Sequence, residues 1–171
     1  MTSCSHFLAQ GDHERWMGLA FDEAAKGCKD ENGCPIGAVL VDMNTGQVVG
    51  QGQNMLVQEG NPILHGEMSA MRAAGRMPSR RHLAMYTTLQ PCWMCTGTIL
   101  QFAIPLVIIG DTTNAGSDET VVFLKSKGVE VVVLDTEKSM AAANCVALCK
   151  EFRTKHPDLW LEDWGGPRLD E

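Results

Sequence analysis

Basic residues are scarce in this chain: 14 Lys plus Arg stand against 21 Asp plus Glu, for a net charge of −7 and a pI near 5.2. Such a surface repels phosphate backbones, and no Lys/Arg cluster exists beyond Arg80-Arg81, which argues against a dedicated nucleic-acid binder. No apolar run approaches the roughly 20 residues of a membrane span. The opening stretch, MTSCSHFLAQGDHERW, lacks a basic segment followed by an apolar one and does not read as a secretory signal. Repeats, linkers and low-complexity segments are missing as well. The seven cysteines are an odd number, so they cannot all close into a disulfide framework. Together these absences point to a reducing, cytoplasmic setting, where paired cysteines more often mean metal or catalysis than disulfides. A small uncharged partner suits the charge balance better than nucleic acid or membrane.

What is present is ordinary for a globular chain: 171 residues, 44% apolar and 20% charged. That length suggests one domain that buries about 70% of its unfolded surface. Residues 1–11 read as a loose N-terminal arm and 12–171 as a single domain. Asp12 is a helix cap, and Trp16, Ala20 and Ala24 form one stripe ending at Lys26, with Gly27 as the stop. Strands are expected at 36–41 and 47–53, around a turn over 42–46, and again at 83–89, 106–109 and 130–134. Helices are expected at 65–74, 92–101, 119–127 and 139–155, followed by a short aromatic segment ending at Trp164. The run Val131 to Leu134 lacks alternation, as expected of a strand covered on both faces. Strands alternating with helices make the chain an α/β protein built as an α/β/α sandwich.

Two short segments carry chemistry: His65-Gly66-Glu67 and Pro91-Cys92-Trp93-Met94-Cys95, each opening an expected helix. Thiolates and neutral imidazole are the usual zinc ligands, and Cys-x-x-Cys can grip one ion from a single helical turn. A helix N-terminus favours the thiolate form of Cys92 and Cys95. His65, Cys92 and Cys95 make three protein ligands for one Zn2+ per chain, leaving a fourth position for water or hydroxide, as in catalytic sites. Glu67 is placed to move that water's proton without binding the metal. Two other readings stay open. Cys34 or Cys28 could complete a closed structural site, or Cys92 and Cys95 could form a redox pair, which would leave His65 and Glu67 without a purpose.

His-x-Glu followed by Pro-Cys-x-x-Cys is the signature of zinc nucleobase deaminases. The chain resembles the cytidine and cytosine deaminase superfamily, and within it the fungal-type cytosine deaminases. The likeness runs from Trp16 to Trp164 and includes Pro35-Ile36-Gly37-Ala38, Gly52-Gln53-Asn54-Met55, Leu64-His65-Gly66-Glu67, Tyr86-Thr87-Thr88-Leu89 and Trp160-Leu161-Glu162-Asp163. The resemblance implies a three-layer sandwich with one central mixed five-stranded sheet. It also implies hydrolytic removal of an amine from a free nucleobase or related amino-heterocycle, with cytosine converted to uracil as in pyrimidine salvage. Carried over residue by residue, Asn54 meets the substrate's amide edge, and the N–H groups of Gly66 and Cys92 lie beside the reacting centre. In the same way Asp163 meets the exocyclic amine, Trp160 covers the ring and Ile36 lines the pocket.

Three positions depart from the fungal pattern: Gln90 replaces a small Ser, Trp93 an acidic residue, and Ala115 an aromatic that helps close the pocket. Either Trp164 or Phe123 fills the space at Ala115, or the substrate is a larger ring such as guanine or a pterin. Without the likeness, Asn54 reads as a turn residue, Asp163 as part of a solvated acidic tail, and Trp160 and Trp164 as docking aromatics. A catalytically silent zinc scaffold on the same fold is the non-enzyme alternative. The resemblance also implies a homodimer, for which Phe102, Ile104 and Leu106 offer apolar surface.

Overall fold

Short apolar runs of β-branched residues build the centre of the molecule. The computed structural model describes residues 3–164; the first two residues of the expected arm and 165–171 of the expected domain lie outside the described residues. Among the described residues five strands, β1 (Gly37–Asp42), β2 (Val48–Gln53), β3 (Leu83–Leu89), β4 (Leu106–Asp111) and β5 (Glu130–Val133), form one sheet in the order β2-β1-β3-β4-β5. β1 is antiparallel to both β2 and β3, while β3, β4 and β5 run parallel. The sheet is therefore mixed and five-stranded, as expected. The turn from β1 to β2 closes where the Gly46 N–H donates to the Asp42 carbonyl at 2.7 Å, with Gly46 at φ +69°, a conformation glycine adopts without strain.

Among the described residues seven α-helices surround the sheet: α1 (Cys4–Gln10), α2 (His13–Ala25), α3 (Gly66–Ala74), α4 (Trp93–Gln101), α5 (Glu119–Ser126), α6 (Met140–Lys155) and α7 (Pro157–Asp163). Side chains alternate across a strand, so each interior strand feeds two cores. Val39, Val41, Ala84, Tyr86, Leu106 and Ile108 pack under α2 and α6 against Trp16, Met17, Ala20, Ala141 and Cys145. Ala38, Leu40, Leu83, Met85, Val107 and Ile109 pack on the opposite face against Ala70, Met71, Ile99, Val121 and Leu124 of α3, α4 and α5. This is the three-layer α/β/α sandwich. Its third apolar cluster, including Cys34, Ile36, Leu56, Leu89, Phe152 and Trp160, seats α7.

Four expectations need correction. Residues 4–10, read as a loose arm, form α1: Ser3 caps it, and the buried Phe7 ring stacks on Trp16 at 5.0 Å between centroids. Two turns are too short for a periodic pattern to show. Gly27 does not stop α2; the chain continues as a π-helical turn, Lys26–Asp30, and Gly27 lets the Gln53 side chain approach closely. β5 is the edge of the sheet rather than a strand covered on both faces, with Val133 44% exposed. Ile104 and Leu106 are wholly buried in the two cores, so they offer no surface to a partner copy. Among the described residues no helix is long and apolar enough to cross a membrane.

Candidate active site

Two helix N-termini converge beyond the carboxyl end of β3. His65 is the N-cap of α3 and Cys92 the N-cap of α4, yet neither side chain makes a capping hydrogen bond. They turn towards each other instead, with His65 Nδ1 3.4 Å from Cys92 Sγ. Cys95 sits in the first turn of α4, fully buried. One ligand atom from each of the three lies within 4.8 Å of the others. A tetrahedral zinc with its usual bond lengths separates nitrogen and sulfur ligands by about 3.5 Å, so the donor set and its spacing fit zinc. Among the described residues this is the one His/Cys/Asp/Glu group so arranged. Cys34, the alternative fourth ligand, is absent from it and points its thiol towards the Leu159 carbonyl at 3.9 Å.

Gly66 follows His65 because α3 presses its first turn onto the start of β1. A Cβ there would stand 2.9 Å from the Ile36 carbonyl oxygen, closer than real Cβ contacts come. The glycine thereby brings the helix N-terminus, with its partial positive charge, against the site.

The three ligands compete for protons. The hydrogen bond from Cys95 draws the Cys92 thiol down to about 4 against the opposing effect of burial, and His65 assists. Burial disfavours the His65 imidazolium, but its hydrogen bond to Cys92 and the nearby Asp163 charge hold its pKa up at about 9. Cys95, sharing its proton with Cys92 and buried, is pushed well above the ordinary thiol range. A divalent cation is the group that satisfies all three at once, because each donates best in its deprotonated form.

Glu67 lies beside them, 2% exposed, and burial together with the Cys92 thiolate pushes its carboxyl up to about 7. Its Oε2 is 3.4 Å from Cys95 Sγ, and Oε1 is 3.2 Å from the Thr87 hydroxyl, which also donates to the Leu89 carbonyl at 2.9 Å. Thr87 belongs to the site and escaped the sequence reading. The available signal was a polar residue within an apolar strand.

Asp163, at the end of α7, is buried rather than part of a solvated tail. Its Oδ1 accepts from Asn54 Nδ2 at 2.5 Å and faces His65 Nε2 at 3.7 Å. Burial raises its pKa despite the opposing pull of His65 and Asn54. His65 Nδ1 thus faces Cys92, and the Asp163 carboxylate stands near Nε2, beyond hydrogen-bond distance, at the wall of the cavity. Asn54 is fully buried; besides holding Asp163, its Oδ1 accepts from the Leu56 N–H at 2.9 Å. Asn54→Ala removes both contacts and leaves a buried carboxylate short of a donor. A stability loss of about 1–3 kcal/mol is expected by urea unfolding, and a wild-type midpoint would show the contacts to be idle.

A cavity of about 500 Å³ opens in front of the ligands, lined among others by His65, Gln90, Cys92, Ala115, Asp163 and Trp164. A small cleft beneath it is lined by Ile36, His65, Glu67, Leu89, Gln90, Cys92, Asp163 and Trp164. Thus Ile36, Glu67, Asp163 and Ala115 all reach the cavity system. Trp160 and Asn54 do not line it: Trp160 is packed against Phe152 and Trp164, with Trp164 at 6.1 Å, and Trp164 is the ring that meets the cavity. Of the two aromatics that could replace a ring at Ala115, Trp164 shares the cavity with it, whereas Phe123 packs edge-on against Trp93 at 5.5 Å. The loop bearing Ala115 is tied down by buried Asp111, whose carboxylate accepts from Thr113 N at 2.7 Å and Asn114 Nδ2 at 2.7 Å.

Comparison with known proteins follows the same lines. Residues 10–111 match the family model for the cytidine and deoxycytidylate deaminase zinc-binding region. A cytosine deaminase of Candida albicans is 38% identical over 156 residues, 90% of this chain and 97% of the relative. A tRNA-specific adenosine deaminase of Streptococcus pyogenes is 30% identical over 142 residues, 80% of this chain and 87% of the relative. The solved guanine deaminase of Bacillus subtilis superposes with a TM-score of 0.55 at 28% identity, covering 66% of this chain and 74% of that one.

Proposed function

From a chain that belongs to the cytidine and deoxycytidylate deaminase family, a family of zinc-dependent hydrolytic deaminases, we infer an enzyme that releases ammonia from a free nucleobase or related amino-heterocycle, with cytosine to uracil as the first reading. The observation that carries it is the buried Glu67 carboxylate held between Thr87 and the His65–Cys92–Cys95 cluster. A silent zinc scaffold has no use for a carboxylate kept buried at that point.

His65, Cys92 and Cys95 would hold one zinc per chain, three protein ligands that would leave a position open to water. When bound, the metal makes a water acidic enough to attack at neutral pH. In the reaction, the water oxygen bonds to the amine-bearing ring carbon and the carbon–nitrogen bond breaks. Glu67 takes a proton from the water, delivers it to the ring nitrogen, and later helps protonate the amine that leaves as ammonia. The Gly66 and Cys92 N–H groups flank the reacting centre, and Asp163 accepts from the departing amine. Ile36 supports the ring from below, Asn54 acts through Asp163, which its amide N–H holds, rather than on the ring's amide edge directly, and Trp160 backs Trp164 over the cavity. A free base fits the acidic chain better than a tRNA.

A second reading, a bicyclic ring such as guanine or a pterin, is favoured by the roughly 500 Å³ cavity with Ala115 in its wall. Ammonia release by the zinc-loaded protein over cytosine, isocytosine, cytidine, guanine, a pterin and creatinine tests both. Turnover of cytosine supports the first, and turnover of only larger rings supports the second. Silence with zinc present, together with no binding of any member, would sink the enzyme reading.

The enzyme acts as a homodimer in this reading. Trp93 (52% exposed), Val122 and Phe123 form an apolar patch beside the cavity that a second copy would cover. Light scattering at micromolar concentration should give twice the chain mass; a monomer mass refutes it.

A further inference from the structure

Gln90 stands where the small cleft and the larger cavity meet, lining both. It follows β3 directly and continues the sheet, its N–H donating to the Asp111 carbonyl at 2.9 Å. The side chain is 5% exposed. Its Nε2 donates to the Ser117 carbonyl at 2.7 Å and to Thr120 Oγ1 at 2.9 Å. A backbone carbonyl can only accept, so the amide nitrogen must face Ser117 and the amide cannot turn over. Oε1 is fixed by that anchor, buried, and without a hydrogen-bond partner.

Bracing the loop that carries Ala115 and Ser117 needs only the nitrogen end. Buried acceptors are almost always satisfied, and of the seven buried side-chain polar atoms left unpaired among the described residues, Gln90 Oε1 is the one whose residue lines the cavity in front of the ligands. A hydrogen-bond donor on the bound ring would satisfy it. Nucleobase-like heterocycles carry ring N–H groups that fit this role.

We propose that Gln90 determines substrate specificity: its Oε1 accepts a hydrogen bond from a ring N–H of the amino-heterocycle bound in the cavity. This rests on the deaminase reading and adds to it a chemical criterion for the substrate. Rings that present an N–H to Gln90 are selected, and rings alkylated at that nitrogen are rejected. An acceptor left unpaired on binding discriminates more strongly than an apolar wall can.

The test compares cytosine with 1-methylcytosine and guanine with 9-methylguanine, on zinc-loaded wild type, Gln90→Met and Gln90→Glu. Both kcat/KM from ammonia release and Kd from calorimetry are measured. In the pair whose parent base is accepted, wild type should favour the N–H member by about 10–100-fold. Gln90→Met, similar in shape but without the acceptor, should bring the two members near parity while keeping zinc. Gln90→Glu loses the donor to the Ser117 carbonyl that fixes the acceptor in place, so it too should bring the two members near parity. A wild-type ratio in Gln90→Met, or equal use of both members by wild type, overturns the proposal. Should Gln90→Met fail to fold, the ratio in Gln90→Glu decides: parity supports the proposal and a wild-type ratio overturns it. Binding with the expected preference but no ammonia release would refute the deaminase reading and leave Gln90's role standing. No binding of any of the four compounds overturns the role itself.

Discussion

Glu67→Gln should keep its zinc, its melting temperature within a few degrees, and its fold, while losing about 10²–10⁴-fold in turnover. The amide is the same shape as the carboxylate and can still accept from the Thr87 hydroxyl and lie against Cys95. What it cannot do is take up and hand on a proton. The cost of burying a charged group also disappears with the substitution, so stability should not fall and could rise slightly. Zinc content by atomic emission and ammonia release on the same preparation check this together. Near-normal turnover in a zinc-loaded Glu67→Gln protein would refute proton transfer by Glu67. An inactive protein that has also lost zinc would instead assign Glu67 a part in holding the ligands.

How far the sequence alone led depended on whether the information was local. The His65–Cys92–Cys95 cluster is legible because residue type and spacing both carry ligand chemistry, and because His65 and Cys92 each precede a helix. Asp12 as a cap and the strands β3 and β4 were legible for the same reason, their signals lying within a few residues. β5 was misread because a run of four apolar residues looks alike at a sheet edge and in its middle. The edge is set by strand order, which depends on the whole chain. Phe102, Ile104 and Leu106 read alike as apolar surface beside the site helix, but only Phe102 is exposed; Ile104 packs inward just before β4 and Leu106 within it. Asn54 and Asp163 are 109 residues apart, and nothing local to either announces their hydrogen bond. The unpaired oxygen of Gln90 depends on Ser117 and Thr120 some 27 and 30 residues on, and only the folded loop shows which end of the amide is spent.

Removing zinc should lower the melting temperature by about 10 °C. His65, Cys92 and Cys95 come from the N-termini of two helices, so an ion between them ties α3 to α4 across the end of β3. A ligand that binds only the folded chain at a free concentration a thousand times its Kd adds about 4 kcal/mol. For a chain of this length each kcal/mol moves the midpoint by about 2–4 °C, and zinc held by unfolded cysteines takes back part of the gain. Calorimetry with and without a chelator, on protein whose zinc content is measured first, reads the shift. Cys34→Ser should show the full zinc-dependent shift, because Cys34 lies outside the cluster, whereas Cys95→Ser should lose most of it. An unchanged midpoint on chelation would mean that the protein matrix alone sets the geometry of the three ligands. A shift lost equally in Cys34→Ser would restore Cys34 as a fourth ligand and with it the closed, structural kind of site. The open site therefore stands or falls on comparing these two variants, with no assay of turnover required.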